Sequence, residues 1–415
     1  MRVYQFIIAV ALLSSCAEFV TMTELSPGAR LTAAGHRVIA YYPGWTSEGR
    51  NPYEVADIPG HLLTHVNYAF ANVGAESGQI AIGYPHLDVD RAYPGDPAGV
   101  SVFGGHFRQL LKLKQRHPHL KTLISVGGWT WSGNFSAAAE TDEKRQRFAR
   151  SCAAFAGRFG FDGVDIDWEY PNSAGLQPGR PEDRENFTQL LQSLRKSLDA
   201  QAELDGRDYL LTFAAPGGIG KLDALDVSEI HQYLDFINVM TYDFAGSWSD
   251  VTQFNSPLYG TTDPAQPQDR LTTANADAVL RHLLAGGVPP EKLVMGLPFN
   301  GKSFAGVHDA NDGLYQTFDG DAPTGLRTSW RELRANELYR MQRRWHEEAK
   351  SPWLYDAHKG ITVVYEDPES ARLKAEYVRG HSLGGVMFWQ ITSDDDDHSM
   401  VRALVEGMLT AGEEK

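Results

Sequence analysis

The chain has 415 residues, a net charge of −15, and 42% hydrophobic and 22% charged residues. That is the composition of a globular protein of one large domain or two ordinary ones. The acidic balance argues against nucleic acid and anionic membrane surfaces as partners and leaves room for a neutral or cationic ligand.

The first twenty residues place Arg2 ahead of an apolar run from Phe6 to Leu13. This is the layout of an export signal and is too short to cross a bilayer, so no integral span is expected. Leu13-Ser14-Ser15-Cys16 resembles the bacterial lipoprotein cleavage box, in which the Cys becomes the lipidated first residue. Removal at a neighbouring small residue is the alternative, so the exported chain is either freely secreted or anchored to the envelope. Cys152 is the other cysteine. With Cys16 cut away or acylated, no intrachain disulfide forms, and Cys152, in a helical pattern, reads as a small buried hydrophobe. Residues 21–35 read as a linker.

From residue 36 short apolar strands alternate with amphipathic helices. The strands are expected at 37–42, 65–70, 121–128, 161–169, 209–215, 236–243, 292–299 and 384–391. Helical patterns lie at 107–117, 144–159, 184–198, 275–286 and 369–380. Eight strands alternating with helices predict an α/β fold, a (β/α)8 TIM barrel, over residues 36–410. A doubly wound sheet would want a glycine-rich phosphate loop after the first strand, and none is there. Two connections are too long for a plain barrel: 72–105 after the second strand, and 304–362 between the seventh strand and its helix. The latter, with a helix expected over 330–349, reads as a small α+β insertion. Both follow strand C-terminal ends, the face on which barrel active sites lie.

The most informative stretch is 161–171, FDGVDIDWEYP. Alternation along a strand puts Asp165, Asp167 and Glu169 on one face and Val164, Ile166 and Trp168 on the other. In the middle of a parallel barrel both faces are covered. Three carboxyls stacked there repel one another unless protons are shared or function demands them. The other strand ends add Ser125-Val126-Gly127-Gly128-Trp129, Met240-Thr241-Tyr242-Asp243, Met387-Phe388-Trp389, and Tyr41 with Trp45. Aromatic faces stack on sugar rings, and carboxyls beside them suggest glycosidic chemistry. Phosphate chemistry would want cations or backbone nests instead. Glu169, outermost on the strand, is best placed to protonate a leaving oxygen. Asp167, one step deeper, is too close to it to act from the opposite ring face. That points to a substrate that supplies its own nucleophile rather than to two opposed carboxylates.

Taken together, SVGG (125–128), the DGxDxDxE core (162–169), MTYD with FAGSW (240–248) and the terminal Trp389 resemble family 18 glycoside hydrolases, the chitinases, and the insertion resembles that of one subfamily. The resemblance implies a retaining, substrate-assisted hydrolysis of β-1,4-linked N-acetylglucosamine through an oxazolinium ion, by a monomer that needs neither cofactor nor metal. It implies Glu169 as general acid and then base. Asp167 would orient the acetamido N–H. Asp165 would hold a shared proton, with Tyr41 and Ser125 bonded to it. Tyr242 would donate to the acetamido oxygen, Asp243 would bind the distorted sugar, and Trp389 would form the floor. Phe70, Gly128, Trp129, Met240 and Met387 complete the expected substrate-binding set. Other readings are an endo-β-N-acetylglucosaminidase acting on glycoprotein glycans, a chitin-binding lectin, which would typically lack the terminal acid, and a metal-dependent barrel hydrolase.

The pattern departs from the family where an aromatic and an arginine are replaced by Asn300 and Lys302, so neither is expected in the site. Asp394 to Asp397 lack calcium-loop spacing and read as a solvated acidic loop. The histidines are scattered without metal spacing, His346 and His358 reading as surface. Trp330, Trp345 and Trp353 read as core of the insertion.

Overall fold

The computed structural model describes residues 25–49, 51–96, 103–173, 175–263, 273–321, 328–335 and 341–409. The export signal and Cys16 lie outside these residues. Eight parallel strands form the barrel: β1 Arg37–Pro43, β2 His65–Val73, β3 Lys121–Gly127, β4 Gly163–Asp167, β5 Leu210–Pro216, β6 Phe236–Met240, β7 Leu293–Pro298 and β8 Gly385–Trp389. Each pairs with the next, and β8 pairs back onto β1, which closes the sheet and leaves it no edge.

Local sequence sets where the surrounding helices start and stop. Thr141 caps helix Asp142–Phe159, which ends at Gly160 in the left-handed region. Asp367 and Ser370 form a capping box for Pro368–Gly380, with Pro368 in its first turn. The outward face of β4 buries Val164 and Ile166 in the main core. Trp168 follows them, stacked on Phe135 at 5.2 Å and edge-on to Phe187 at 5.7 Å. The inward faces of the strands build a smaller apolar plug that includes Ile39, Phe236, Val294 and Met387. The acids stand above this plug.

The insertion folds as an antiparallel sheet of Gly320–Asp321, Lys302–Ala305, Ile361–Val364, Ser351–Asp356 and Arg343–His346, in that spatial order. Phe304, Trp353 and Tyr355 fill its core together with Phe254, from the segment after β6. That segment is bonded into the insertion: Thr252 Oγ1 donates to the Gly313 carbonyl at 2.7 Å, and Leu258 N to Ala349 O at 3.0 Å. Beside it Lys374 is fully buried. Its ammonium donates to Ser256 and pairs with buried Glu366 at 2.8 Å.

Four expectations are corrected here. Residues 21–35 are not linker throughout: Pro27–Ala33 is a helix capped by Ser26, with Pro27 in the first turn and Leu31 fully buried. Of the helix expected over 330–349 the described residues show Trp330–Ala335, whereas Arg343–His346 is a strand, because pairing with Ser351–Asp356 completes the sheet and overrides helical propensity. His346 is half-buried, edge-on to Phe254 at 5.5 Å. The acidic run is solvated only at Asp396 and Asp397. Asp394 is buried and accepts from the amides of Asp395, Met400 and Val401 at 2.8, 3.1 and 3.0 Å, while Asp395 accepts from the Trp330 indole at 2.9 Å. Arg331 pairs with Asp396, and Arg334 with Asp395 and Asp397. These acids cap the start of helix Ser399–Met408 and fasten helix Trp330–Ala335 to it.

Candidate active site

The C-terminal ends of the strands open into a cleft of about 1040 Å³. Its lining includes Tyr41, Phe70, Trp129, Asp167, Glu169, Met240, Tyr242, Asp243 and Trp389 from the expected set. Four expected residues lie beneath or behind the wall. Asp165 and Ser125 are fully buried a step deeper, and Met387 is fully buried in the plug. Gly128, at φ +74°, sits behind Phe70, where a Cβ would come within 2.6 Å of the Phe70 ring. The preceding Gly127, at φ +107°, would drive a Cβ to 2.3 Å from the Asp167 carbonyl. The glycine pair is thus what lets β3 pass under both the acid strand and the aromatic wall.

The carboxyls of β4 differ sharply in their partners. Asp165 Oδ2 accepts from Tyr41 Oη at 2.8 Å and Ser125 Oγ at 2.7 Å, and Oδ1 accepts from Thr212 Oγ1 at 2.5 Å and Asn238 Nδ2 at 3.3 Å. Burial raises its carboxyl, and the four donors oppose that shift. Asp167 Oδ1 is buried with no hydrogen-bond partner. Burial first, and then the charges of Glu169 and Asp165, push Asp167 well above the carboxylate range. Both acids of the pair are thus pushed toward their protonated forms, four donors surround Asp165, and one oxygen of Asp167 is left unpartnered. Glu169 lies just past the strand, its amide donating to Ser132 Oγ at 2.8 Å. Burial lifts its carboxyl to about 7 and Asp243 adds to the lift, against a hydrogen bond from Tyr170 and the cation of Lys221. Below about pH 7 it is an acid that holds its proton.

Around these acids Phe70 stacks on Trp389 at 5.8 Å and 15°, and Tyr41 lies 6.0 Å from Trp389. Trp45 packs on Phe70 at 6.1 Å. Trp129 and Trp248 stand at the rim, 49% and 59% exposed. Tyr242 is held beside Gly296, where a Cβ would come 2.9 Å from its ring. Burial, then Asp167, keeps its phenol protonated. Asp243 adopts φ +57° and takes its amide to Asn255 Oδ1 at 3.1 Å.

Several participants escape the sequence reading. Thr212 and Asn238 complete the cage of Asp165, and strand register was the available signal: Ser125, Asp165 and Thr212 form one row across β3, β4 and β5. Lys302 was left out and belongs to the lining; its ammonium is 2.7 Å from Asp243 Oδ1 and 5.4 Å from the Trp248 ring centroid. Tyr170 and Lys221 also line the cleft. Among the described residues no group of three His, Cys, Asp or Glu is placed to hold a metal ion, and no helix is long and apolar enough to cross a membrane.

Comparison with known proteins agrees with this geometry. The family described as Glycosyl hydrolases family 18 matches residues 37–394. Chitinase A1 of Niallia circulans is 37% identical over 94% of this chain, which spans 61% of that protein's length. Chitinase ChiA74 from Bacillus thuringiensis superposes with a TM-score of 0.82 at 33% identity, over 90% of this chain and 70% of that one. A family 18 N-acetylglucosaminidase from Paenibacillus barengoltzii gives 0.76 at 34% identity, over 90% of this chain and 99% of the other.

Proposed function

The chain belongs to glycosyl hydrolase family 18, and on that premise we propose that it is a chitinase that hydrolyses β-1,4-linked N-acetylglucosamine by a retaining, substrate-assisted mechanism. The observation that carries the mechanism is the state of the lining carboxyls. Glu169 is half-buried in the cleft wall and poised to give a proton. A second carboxylate acting as nucleophile would have to face it across the sugar. Asp167 comes from the same strand two residues earlier, and Asp243 is engaged by Lys302. The substrate's own acetamido oxygen is then the available nucleophile.

In this reading Glu169 protonates the departing oxygen and afterwards takes a proton from water. Asp167, with its unpartnered oxygen, accepts from the acetamido N–H and faces the positive charge that develops as the ring closes. Asp165, fixed by its four donors, lies one step beneath Asp167 on the same strand, and Tyr242 donates to the acetamido oxygen. The aromatic faces of Trp389 and Phe70 form the apolar floor. Residues 36–410, with the insertion at 304–362, act as one monomeric catalytic domain. The first twenty residues direct export, to a secreted form or to an envelope form anchored at Cys16.

The test is hydrolysis of chitohexaose followed by NMR, beside a hexamer stripped of its acetyl groups. Retention requires the β-anomer first, and substrate assistance requires that the stripped hexamer resist cleavage. An initial α-anomer, or equal rates on both, removes the mechanism.

A further inference from the structure

Among the described residues five charged side chains line the cleft: Asp167, Glu169, Lys221, Asp243 and Lys302. Four of them are committed. Asp167 and Glu169 are coupled acids, and Lys302 and Asp243 neutralise each other at 2.7 Å. Lys221 is different. It stands on helix Ile219–Leu222, directly after β5, where Gly217, Gly218 and Gly220 leave Ile219 and Lys221 to furnish this stretch of the wall. Its ammonium lies 3.7 Å from the Tyr170 ring centroid, and among the described residues no carboxylate oxygen comes within 4.0 Å of it. A Lys seated on an aromatic face is held in place without being neutralised. It is a fixed positive charge in the cleft, on the Glu169–Tyr170 side, with its hydrogen-bonding capacity unspent.

We propose that Lys221 is a specificity-determining residue: it accepts a neutral, N-acetylated sugar against the Glu169–Tyr170 side of the cleft and rejects a cationic glucosamine unit there. This rests on the chitinase reading. The amide carbonyl or ring hydroxyls of an acetylated unit can accept from the ammonium, whereas the protonated amine of a deacetylated unit meets a like charge in a partly desolvated site. A like-charge contact at such a site is worth roughly a tenfold discrimination or more. The acids of the cleft would otherwise favour a cationic sugar, so the preference runs against the net charge of the molecule and is specific to this position.

The experiment compares the unaltered protein, Lys221→Gln and Lys221→Arg on partially deacetylated chitosan, with the units flanking each cut identified by mass spectrometry, and on chitohexaose as the fully acetylated reference. The readout is the ratio of acetylated to deacetylated units on the side Lys221 faces, so a loss of turnover common to both substrates cancels. The unaltered protein and Lys221→Arg should favour acetylated units there by about tenfold, and Lys221→Gln should fall to within about twofold of the polymer's own composition. Calorimetric binding of the same oligomers in a Glu169→Gln background, with and without Lys221→Gln, gives that ratio without turnover. If all three proteins cleave chitohexaose and Lys221→Gln keeps the preference, the role of Lys221 is overturned and the chitinase reading stands. If none cleaves chitohexaose, both fall.

Discussion

Two stretches of this chain crowd carboxyls together, and they differ in almost every respect. Asp165, Asp167 and Glu169 alternate along β4. Asp394 to Asp397 run consecutively between β8 and the last helix. Burial lifts Glu169 and Asp394 alike to about 7. A raised carboxyl therefore does not distinguish the proposed catalytic acid from a structural one. Partners do. The oxygens of Asp394 are occupied by three backbone amides, and its neighbours are bound by Arg331 and Arg334. Asp167 keeps a buried oxygen with no partner, and Glu169 opens onto the cleft. Unspent hydrogen-bonding capacity facing a cavity marks the place where a substrate completes the structure.

Substitutions can break this contrast. The largest effect is expected for Glu169→Gln, which removes the proton donor and leaves the shape: turnover on chitohexaose should fall by about 10²–10⁴-fold. The unaltered protein should lose activity as pH rises through about 7, where Glu169 gives up its proton. A basic limb far above that value would separate this acid from the rate. Next is Asp167→Asn. Turnover should drop by about a hundredfold through the lost orientation of the acetamido group, a term of the size that positioned groups supply. Stability should move the other way. The Asp167 carboxyl is held above its unfolded value, so between the two values the folded state binds more protons than the unfolded chain, and stability falls as pH rises. Removing the acid removes that loss. Thermal unfolding should show a gain of about 1–2 kcal/mol near pH 8 and little gain near pH 4.

Asp394→Ala should do the reverse of Asp167→Asn. The buried amides of Met400 and Val401 lose their acceptor, which costs about 1–3 kcal/mol in a denaturant melt, while kcat on chitohexaose stays as it was. A loss of kcat at unchanged stability would erase the distinction between the two acidic stretches. The smallest effect is expected for Lys302→Met. It frees Asp243 at the rim, where the ion pair is partly exposed and weak, and should raise KM by a few-fold with little change in kcat.

Much of the barrel was legible because strand and helix periods differ and because β4 alternates cleanly. The acids declared themselves through that alternation, each Asp and Glu separated by an apolar residue that turns out to pack under a helix. The cage around Asp165 was half legible: Tyr41 and Ser125 were expected, whereas Thr212 and Asn238 needed the register of neighbouring strands. Lys221 and Lys302 were illegible because lysine is ordinarily a solvated residue and nothing local says that a ring or a carboxylate will hold it. The segment 330–349 misled because its strand exists only by pairing with 351–356. Asp394 misled because a cap is recognised by the amides it serves, six and seven residues away, and not by its own neighbours.

The loop after β6 has a consequence for anyone wishing to exchange parts between relatives. Thr252 and Leu258 are stitched into the insertion, Phe254 fills its centre, and Ser256 receives the sealed ammonium of Lys374. The insertion is therefore not a removable cassette. Cutting it out at its chain ends would strip Phe254 of its neighbours and leave the Thr252 hydroxyl and the Leu258 amide without their acceptors. A transplant would have to carry residues 250–258 as its other half, because the two segments form one packing unit although more than forty residues of chain separate them.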